Sequence, residues 1–158
     1  MKKVLFSVVL LFCCFAIFSG CSKGGSNATT IDPYLTAHVV NAYGTYTFSS
    51  ATVVPSIVDT QTHDTTTALV ITGNFAGNVS FSDKIVLVIT KYRNAAGVFS
   101  IIQGQANAAY VHDAVPDFAT GGVVAITNIS SNSIIGYFSF TTLSGANITN
   151  GAFSVSKP

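Results

Sequence analysis

The chain has 158 residues, seven Lys or Arg against six Asp, and a formal net charge of +1 at pH 7. That length suits one domain with a substantial core, and the near-neutral charge excludes the basic footprint that nucleic-acid binding needs. Charged residues make up only 8% of the chain and both Glu and Trp are absent, a composition typical of a β-rich domain outside the cytoplasm.

The N-terminal segment has the three parts of a secretory signal. Lys2 and Lys3 supply a positive start, residues 4–18 are uncharged and almost wholly apolar, and two small residues then precede Cys21. A helix of that apolar length would span only about 23 Å, short of a hydrocarbon core of about 30 Å. The pattern therefore favours a cleaved signal over a transmembrane anchor.

The sequence Phe-Ser-Gly-Cys at residues 18–21 resembles the lipobox of bacterial lipoproteins. The resemblance implies that residues 1–20 are removed and that Cys21 becomes an acylated N-terminus, with the membrane as its partner. Cysteine usage agrees, because Cys13 and Cys14 leave with the signal and Cys21 then has no partner for a disulfide bond. A lone thiol in an oxidising compartment is a liability unless it carries lipid.

Residues 21–33 form a polar stretch that we interpret as a flexible tether, followed by a β-domain at residues 34–158. No acidic residue stands directly after Cys21, where the chain reads Ser22, Lys23 and Gly24. In enteric lipoproteins an Asp there marks retention in the inner membrane, and in the Bacteroidota an acidic cluster marks export to the surface. Resemblance to these rules implies the outer membrane, with the domain facing the periplasm.

From residue 34 onward the pattern is that of strands, without a helical period. Short β-branched and aromatic runs are separated by turn residues at regular intervals. The nine predicted strands are residues 35–41, 45–53, 66–73, 84–92, 98–103, 105–112, 122–129, 133–142 and 147–155. The pattern predicts an all-β fold, as a single antiparallel β-sandwich or flattened barrel of eight or nine strands.

Two of these strands carry a further expectation. Residues 85–89 are apolar at every position, which predicts a central strand that is covered on both faces. In the last strand, Ile148 and Phe153 fall on opposite parities. A one-residue bulge at Asn150-Gly151, with the glycine in the left-handed conformation, would return both to the core, and a tight Asn-Gly hairpin is the alternative.

Two polar segments, residues 55–65 and 113–121, are predicted to be long loops. The pairs His63-Asp64 and His112-Asp113 lie in or beside them, and with Asp117 they are candidates for a metal or catalytic cluster assembled by loops. The alternative is ordinary surface residues, because strand neighbours point to opposite sides and no chelating spacing or nucleophile elbow is present. The sequence therefore predicts no catalytic residue, no metal ligand, no cofactor and a protein that is not an enzyme.

Six tyrosines are candidates for a binding platform, because their rings are amphipathic. They are Tyr34, Tyr43, Tyr46, Tyr92, Tyr110 and Tyr137, and the alternative is that they occupy ordinary exposed positions of a sheet. Separately, the tripeptide Asp64-Thr65-Thr66 resembles the O-glycosylation sequon of periplasmic proteins in the Bacteroidota, which implies Thr65 as an attachment site.

Residues 71–73, 85–89, 136–140 and 148–153 together resemble uncharacterised lipoprotein domains of the Bacteroidota, a domain-of-unknown-function group. The C-terminal half of that group reads Gly-x-Phe-x-Phe and then Ile-Thr-x-Gly-x-Phe, and the similarity covers roughly residues 66–155. It implies an all-β lipoprotein domain and assigns no chemistry.

Three functional hypotheses follow. The leading one is a cell-envelope lipoprotein that presents a non-enzymatic β-domain for a protein or glycan contact. The alternative is a lipocalin-like carrier, which requires an enclosed cavity of several hundred Å³ (of the order of known ligand pockets) for a small apolar ligand. A hydrolase or metal-dependent enzyme is a further alternative.

Overall fold

The structure is a computed structural model that describes residues 32–62, 64–75 and 82–158. The predicted signal peptide, Cys21 and all but the last two residues of the tether lie outside the described residues, as does His63. Side chains are described for fewer residues, since those of Asp64 and Thr65 are not.

Nine strands and no helix make up the described chain. They are β1 (Tyr34–Asn41), β2 (Gly44–Thr62), β3 (Asp64–Phe75), β4 (Asp83–Ile89), β5 (Gly97–Ser100), β6 (Ala106–His112), β7 (Val115–Ile129), β8 (Ser133–Thr142) and β9 (Asn147–Ser156). Every pairing between them is antiparallel. The predicted all-β fold is therefore confirmed.

The sheet closes into a flattened barrel. Eight strands form a ring in the order β7-β6-β4-β3-β2-β1-β9-β8, and the pairing of β7 with β8 closes it. The two longest strands, β2 and β7, each change partner along their length. β2 pairs first with β1 and then with β3, and β7 pairs first with β6 and then with β8. The short strand β5 lies outside the ring, beside the second half of β7.

Both predicted long loops are wrong. Residues 55–65 form the two arms of a hairpin, in which β2 pairs with β3 as far as Thr62 and Asp64. Pro55 is tolerated because this part of β2 pairs on one side only, with β3, and proline is confined to such edges. Residues 113–121 contain a two-residue turn at Asp113 and Ala114, whose φ angles of 47° and 67° suit the tight turns of hairpins, and β7 begins directly after it.

The expectation for residues 85–89 is wrong on one face. Ile85, Leu87 and Ile89 are fully buried, whereas Val86 and Val88 between them are half-buried. The strand is central in its sheet, between β3 and β6, but only its inner face meets the core.

The bulge predicted in the last strand is confirmed, and the hairpin alternative is wrong. The register of β9 shifts against both neighbours around Asn150, and Ile148 and Phe153 are both fully buried. The left-handed residue is Asn150, with a φ of 50°, and not the glycine. Gly151 is required for space instead, because a Cβ there would lie 2.6 Å from the ring of Phe138.

Apolar side chains from all parts of the ring fill its interior. The largest fully buried ones are Phe48, Phe138, Phe153, Leu35, Leu69, Ile71, Ile85, Leu87, Ile89, Ile134, Ile148 and Val39.

Among the described residues, no helix is long and apolar enough to cross a membrane.

Candidate functional site

The inward-facing rows of four strands each change from apolar to polar at the same end of the barrel. In β1 the buried row ends at Asn41, and in β6 it ends at Tyr110 and His112. The rows of β2 and β4 begin there, with Tyr46 and Asp83. Because the strands are antiparallel, ends of β1 and β6 meet starts of β2 and β4. These five residues are called the Asp83 network below.

Asp83 is the centre of this network, and its side chain has no exposed surface. Its Oδ2 accepts hydrogen bonds from the hydroxyl groups of Tyr46 and Tyr110, the latter at 2.6 Å. Its Oδ1 lies 2.7 Å from Nδ1 of His112. Three polar groups therefore compensate a carboxylate that would be costly to bury alone.

The register of the sheet explains why Asp83 meets His112. The two residues are directly opposite each other on β4 and β6, and opposite residues on one face have Cβ atoms about 5 Å apart. Parity then places Tyr110 on the same face as His112, two positions earlier on β6. The same alternation places Asp83 in line with Ile85, Leu87 and Ile89 on the inner face of β4.

Asn41 connects the network to the turn between β1 and β2. Its Nδ2 donates to the hydroxyl group of Tyr110 at 3.0 Å, and its Oδ1 accepts from the backbone N–H of Tyr43 at 2.9 Å. Tyr43 is 76% exposed, and its ring stacks on that of His112 with centroids 4.4 Å apart. The turn thus places an aromatic ring over the solvent side of His112.

Both tyrosines of the network are held in the neutral form. Burial raises the pKa of Tyr46 well above its usual range, and the hydrogen bond to Asp83 raises it further. The pKa of Tyr110 is also raised, again by burial first and then by Asp83. The two hydroxyl oxygens are 2.7 Å apart, so ionisation of either would place a second negative charge beside Asp83.

Two adjoining cavities open at this end of the barrel. The inner pocket, of about 260 Å³, is lined by Asn41, Tyr43, Gly44, Thr45, Tyr46, Phe75, Asp83, Tyr110 and His112. The end cleft, of about 530 Å³, is lined by Asn41, Ala42, Tyr43, Tyr110, His112, Asp113, Val115, Pro116, Asp117, Ser144 and Ala146. The volume of the end cleft is within the range of small-molecule sites.

The far wall of the end cleft is the turn between β8 and β9, which Asp117 holds in place. Asp117 accepts hydrogen bonds from the backbone N–H of Ser144 at 3.2 Å and from its hydroxyl group. Partial burial acts to raise the pKa of Asp117, but hydrogen bonds from Ser144, Thr142 and Leu143 outweigh it, and the net shift is downward. Asp117 is therefore stabilised as a carboxylate at the cleft.

Of the two His-Asp pairs, the structure describes only the second, because His63 and the side chain of Asp64 lie outside what it describes. His112 and Asp113 both line the end cleft, where Nε2 of His112 lies 3.8 Å from Oδ2 of Asp113. Thr62 pairs with Asp64 where β2 ends and β3 begins, at the opposite end of the barrel from the Asp83 network. Thr65 belongs to β3 rather than to a loop.

Only part of the predicted tyrosine platform lies at this end of the barrel. Tyr43, Tyr46 and Tyr110 converge on the two cavities. Tyr34 and Tyr137 are 43% and 45% exposed, and neither lines these cavities. Tyr92 is buried, and its hydroxyl group bonds to Asn94.

Asp83, Asn41 and Ser144 were not among the candidate residues from sequence, although Asp83 carries a usable signal. Asp83 lies in the inward-facing row of β4, the most apolar strand, and a buried charge is costly unless other groups pair with it. Within the described part of the chain, no three His, Cys, Asp or Glu side chains are grouped so that they could bind a metal ion. The arrangement offers hydrogen-bond acceptors, hydroxyl groups and aromatic faces.

Comparisons with known proteins do not add to this picture: no family model, no curated protein and no solved structure matches the chain.

Proposed function

We propose that the protein is a cell-envelope lipoprotein, anchored through a lipidated Cys21, whose barrel is a non-enzymatic domain that contacts a protein or glycan through the end cleft. The leader and lipobox support the anchor, and the resemblance to Bacteroidota lipoprotein domains agrees with it. The lack of an acidic residue directly after Cys21 supports the outer membrane, with the domain facing the periplasm. The resemblance of Asp64-Thr65-Thr66 to a sequon supports Thr65 as an O-glycosylation site, and the near-neutral charge argues against nucleic acid as a partner.

The observation that carries this proposal is the contrast between a filled barrel and an open, aromatic cleft at its end. A carrier of an apolar ligand needs an enclosed cavity lined by side chains such as Phe and Ile. Here Phe48, Phe138 and Phe153 occupy the interior. The lining of the cleft instead combines tyrosine, histidine and aspartate with the smaller apolar residues Ala42, Val115, Pro116 and Ala146. Exposed tyrosine beside polar groups is typical of recognition surfaces.

Metabolic labelling tests the anchor. Cells that express the wild-type chain or Cys21→Ser are fed a clickable fatty acid, and the protein is then partitioned between detergent and water. We expect label and detergent partitioning for the wild type only, because two or more acyl chains give stable attachment whereas a single chain binds only reversibly. An unlabelled wild-type protein in the aqueous phase would refute the anchor.

Site-specific photo-crosslinking tests the contact. A photoreactive phenylalanine analogue replaces Tyr43 in one variant and Tyr137 in the other, and crosslinks are induced in the native host. Both positions are exposed tyrosines, at 76% and 45%, but only Tyr43 lines the cleft. We expect a defined adduct at position 43 and none at position 137. Equal adducts at both positions, or none at position 43, would remove the cleft as the contact site.

A further inference from the structure

One outer face of the barrel, called the valine face below, is formed by the outward-facing rows of residues 52–58 in β2, of β3, β4 and β6, and of the start of β7. Its central row crosses five strands in the order Val54, Thr72, Val86, Ala109 and Phe118. The further apolar residues of the neighbouring rows are Val58, Ala68, Val70, Val88, Val111 and Pro116. Val54 and Phe118, at the two rims of the face, are 56% and 64% exposed.

The outer face of the other half of the barrel is polar by comparison. There the outward rows of the start of β2, of β1, β9 and β8 present mainly hydroxyl and amide side chains. They include Thr36, Thr45, Thr47, Ser49, Ser139, Thr141, Asn147 and Thr149. An antiparallel sheet whose outer face meets water normally alternates apolar inward residues with polar outward ones. The other half of the barrel follows that rule, and the valine face departs from it.

Strand β4 shows the departure most clearly. Residues 85–89 are apolar at every position, which is the pattern of a strand that is covered on both faces. The inward residues of this run meet the core, whereas Val86 and Val88 point outward and are only half-buried. A second layer packed on the valine face would complete the cover that the sequence pattern predicts.

The charge of the valine face restricts what that layer can be. Of its described outward residues only Lys84 is charged, and Lys84 lies in the row at one end, with Val111 and Pro116. A membrane surface is disfavoured, because faces that bind lipid combine large apolar side chains with several Lys or Arg. A strongly charged protein is disfavoured too, because charge complementarity needs groups of opposite sign on both sides. The layer that fits is a second uncharged, apolar surface.

The extent of the valine face is sufficient for a small specific interface. Neighbouring strands lie about 4.8 Å apart and outward residues about 6.8 Å apart along a strand, so five strands and four rows cover about 500 Å². Two such faces in contact would bury about 1,000 Å², which is the lower limit for a specific interface. An interface of that size corresponds to weak association, in the micromolar range.

We propose that the valine face binds the same face of a second copy of this chain, so that the two sheets form the layers of a β-sandwich about 10 Å apart. A two-fold axis that crosses the strands between Val86 and Val88 makes the contact self-complementary. Val86 of one copy then packs over Val88 of the other. The two Lys84 side chains lie at opposite ends of the contact, so like charges do not meet. This inference depends neither on the end cleft nor on the lipid anchor.

Sedimentation equilibrium of the full chain, in a density-matched detergent, measures this association. We expect the wild type to pass from monomer to dimer over the micromolar range. Val86→Lys should weaken the dimer about tenfold or more, because it buries a charge without a partner in an apolar contact. Val40→Lys is the matched control and should leave the association unchanged, because Val40 also points outward from a strand with neighbours on both sides, but in the polar half. Val54→Lys, at a more exposed position, repeats the test if Val86→Lys does not fold.

Photo-crosslinking in the native host tests the same contact without detergent. A photoreactive phenylalanine analogue replaces Phe118 in one variant and Tyr34 in the other, and both positions are exposed aromatic residues, at 64% and 43%. Only Phe118 belongs to the valine face. Each variant is expressed with two different epitope tags in the same cells, so that an adduct between two copies carries both tags. We expect such an adduct at position 118 and none at position 34.

The crosslink in cells decides where the two measurements differ, because detergent can cover an apolar face. Absence of an adduct with both tags at position 118 would overturn the inference, and so would equal adducts at positions 118 and 34. Equal weakening of the dimer by Val86→Lys and Val40→Lys would do the same. An adduct at position 118 that contains only another protein would assign the valine face to a different partner and exclude the second copy.

Discussion

Closure of the barrel can be tested at one glycine. Gly136 on β8 lies between Ile126 of β7 and Phe153 of β9, at the pairing that completes the ring. A Cβ at this position would be 2.0 Å from the carbonyl oxygen of Ala125 and 2.4 Å from Cζ of Phe153. The first of these contacts is with backbone, so Gly136→Ala forces β8 away from β7. Overpacking in a core typically costs about 1–3 kcal/mol and sometimes more, and we expect about 3 kcal/mol or more here.

Gly97→Ala is the matched control, because its nearest contact would be an ordinary 3.6 Å to the ring of Phe99. We expect the free energy of unfolding of that variant to lie within about 1 kcal/mol of the wild-type value, as for other substitutions away from special features. The assay is urea unfolding followed by circular dichroism, with the free energies compared at equal m-values. If Gly136→Ala and Gly97→Ala have the same midpoint, β7 and β8 do not approach as closely as the closed ring requires.

Three further predictions concern pH and local packing. Because the pKa of Tyr46 is raised in the folded state from its ordinary 10.0, its contribution to stability is complete below about pH 10 and is lost as the pH rises above it. Tyr46→Phe should therefore lose less stability than the wild type between about pH 10 and pH 11.5. The pKa of Asp117 is lowered from 3.8, so its contribution is complete above about pH 4 and is lost as the pH falls through the folded value; Asp117→Asn should flatten the acid limb of stability in urea titrations. Gly151→Ala should lower the thermal midpoint, because its Cβ would lie 2.6 Å from the ring of Phe138, and an unchanged midpoint would contradict that packing.

The strands that could be predicted from sequence are those whose partners reinforce a local pattern. β8 has the predicted bounds, Ser133–Thr142, because its inner row of apolar residues alternates with polar ones and turns flank it. The part of the β2–β3 hairpin within residues 55–65 was missed because Pro55, Asp59 and Asp64 disfavour a strand locally. There the backbone pairing of β2 with β3 decides the structure, and this pairing is a property of two segments together.

The same reasoning explains why half of the candidate site was recognised and half was not. His112 was grouped with Asp113, its neighbour in sequence, whereas the carboxylate within hydrogen-bond distance of its Nδ1 is Asp83, 29 positions away. Residues opposite each other across a ladder converge, so adjacency in sequence does not reveal the carboxylate that lies against Nδ1 of His112. Only the register of β4 against β6 places Asp83 directly opposite His112. A single Asp in the inward row of an otherwise apolar strand is the sequence signal of such a partner, because a buried carboxylate persists only where donors meet it.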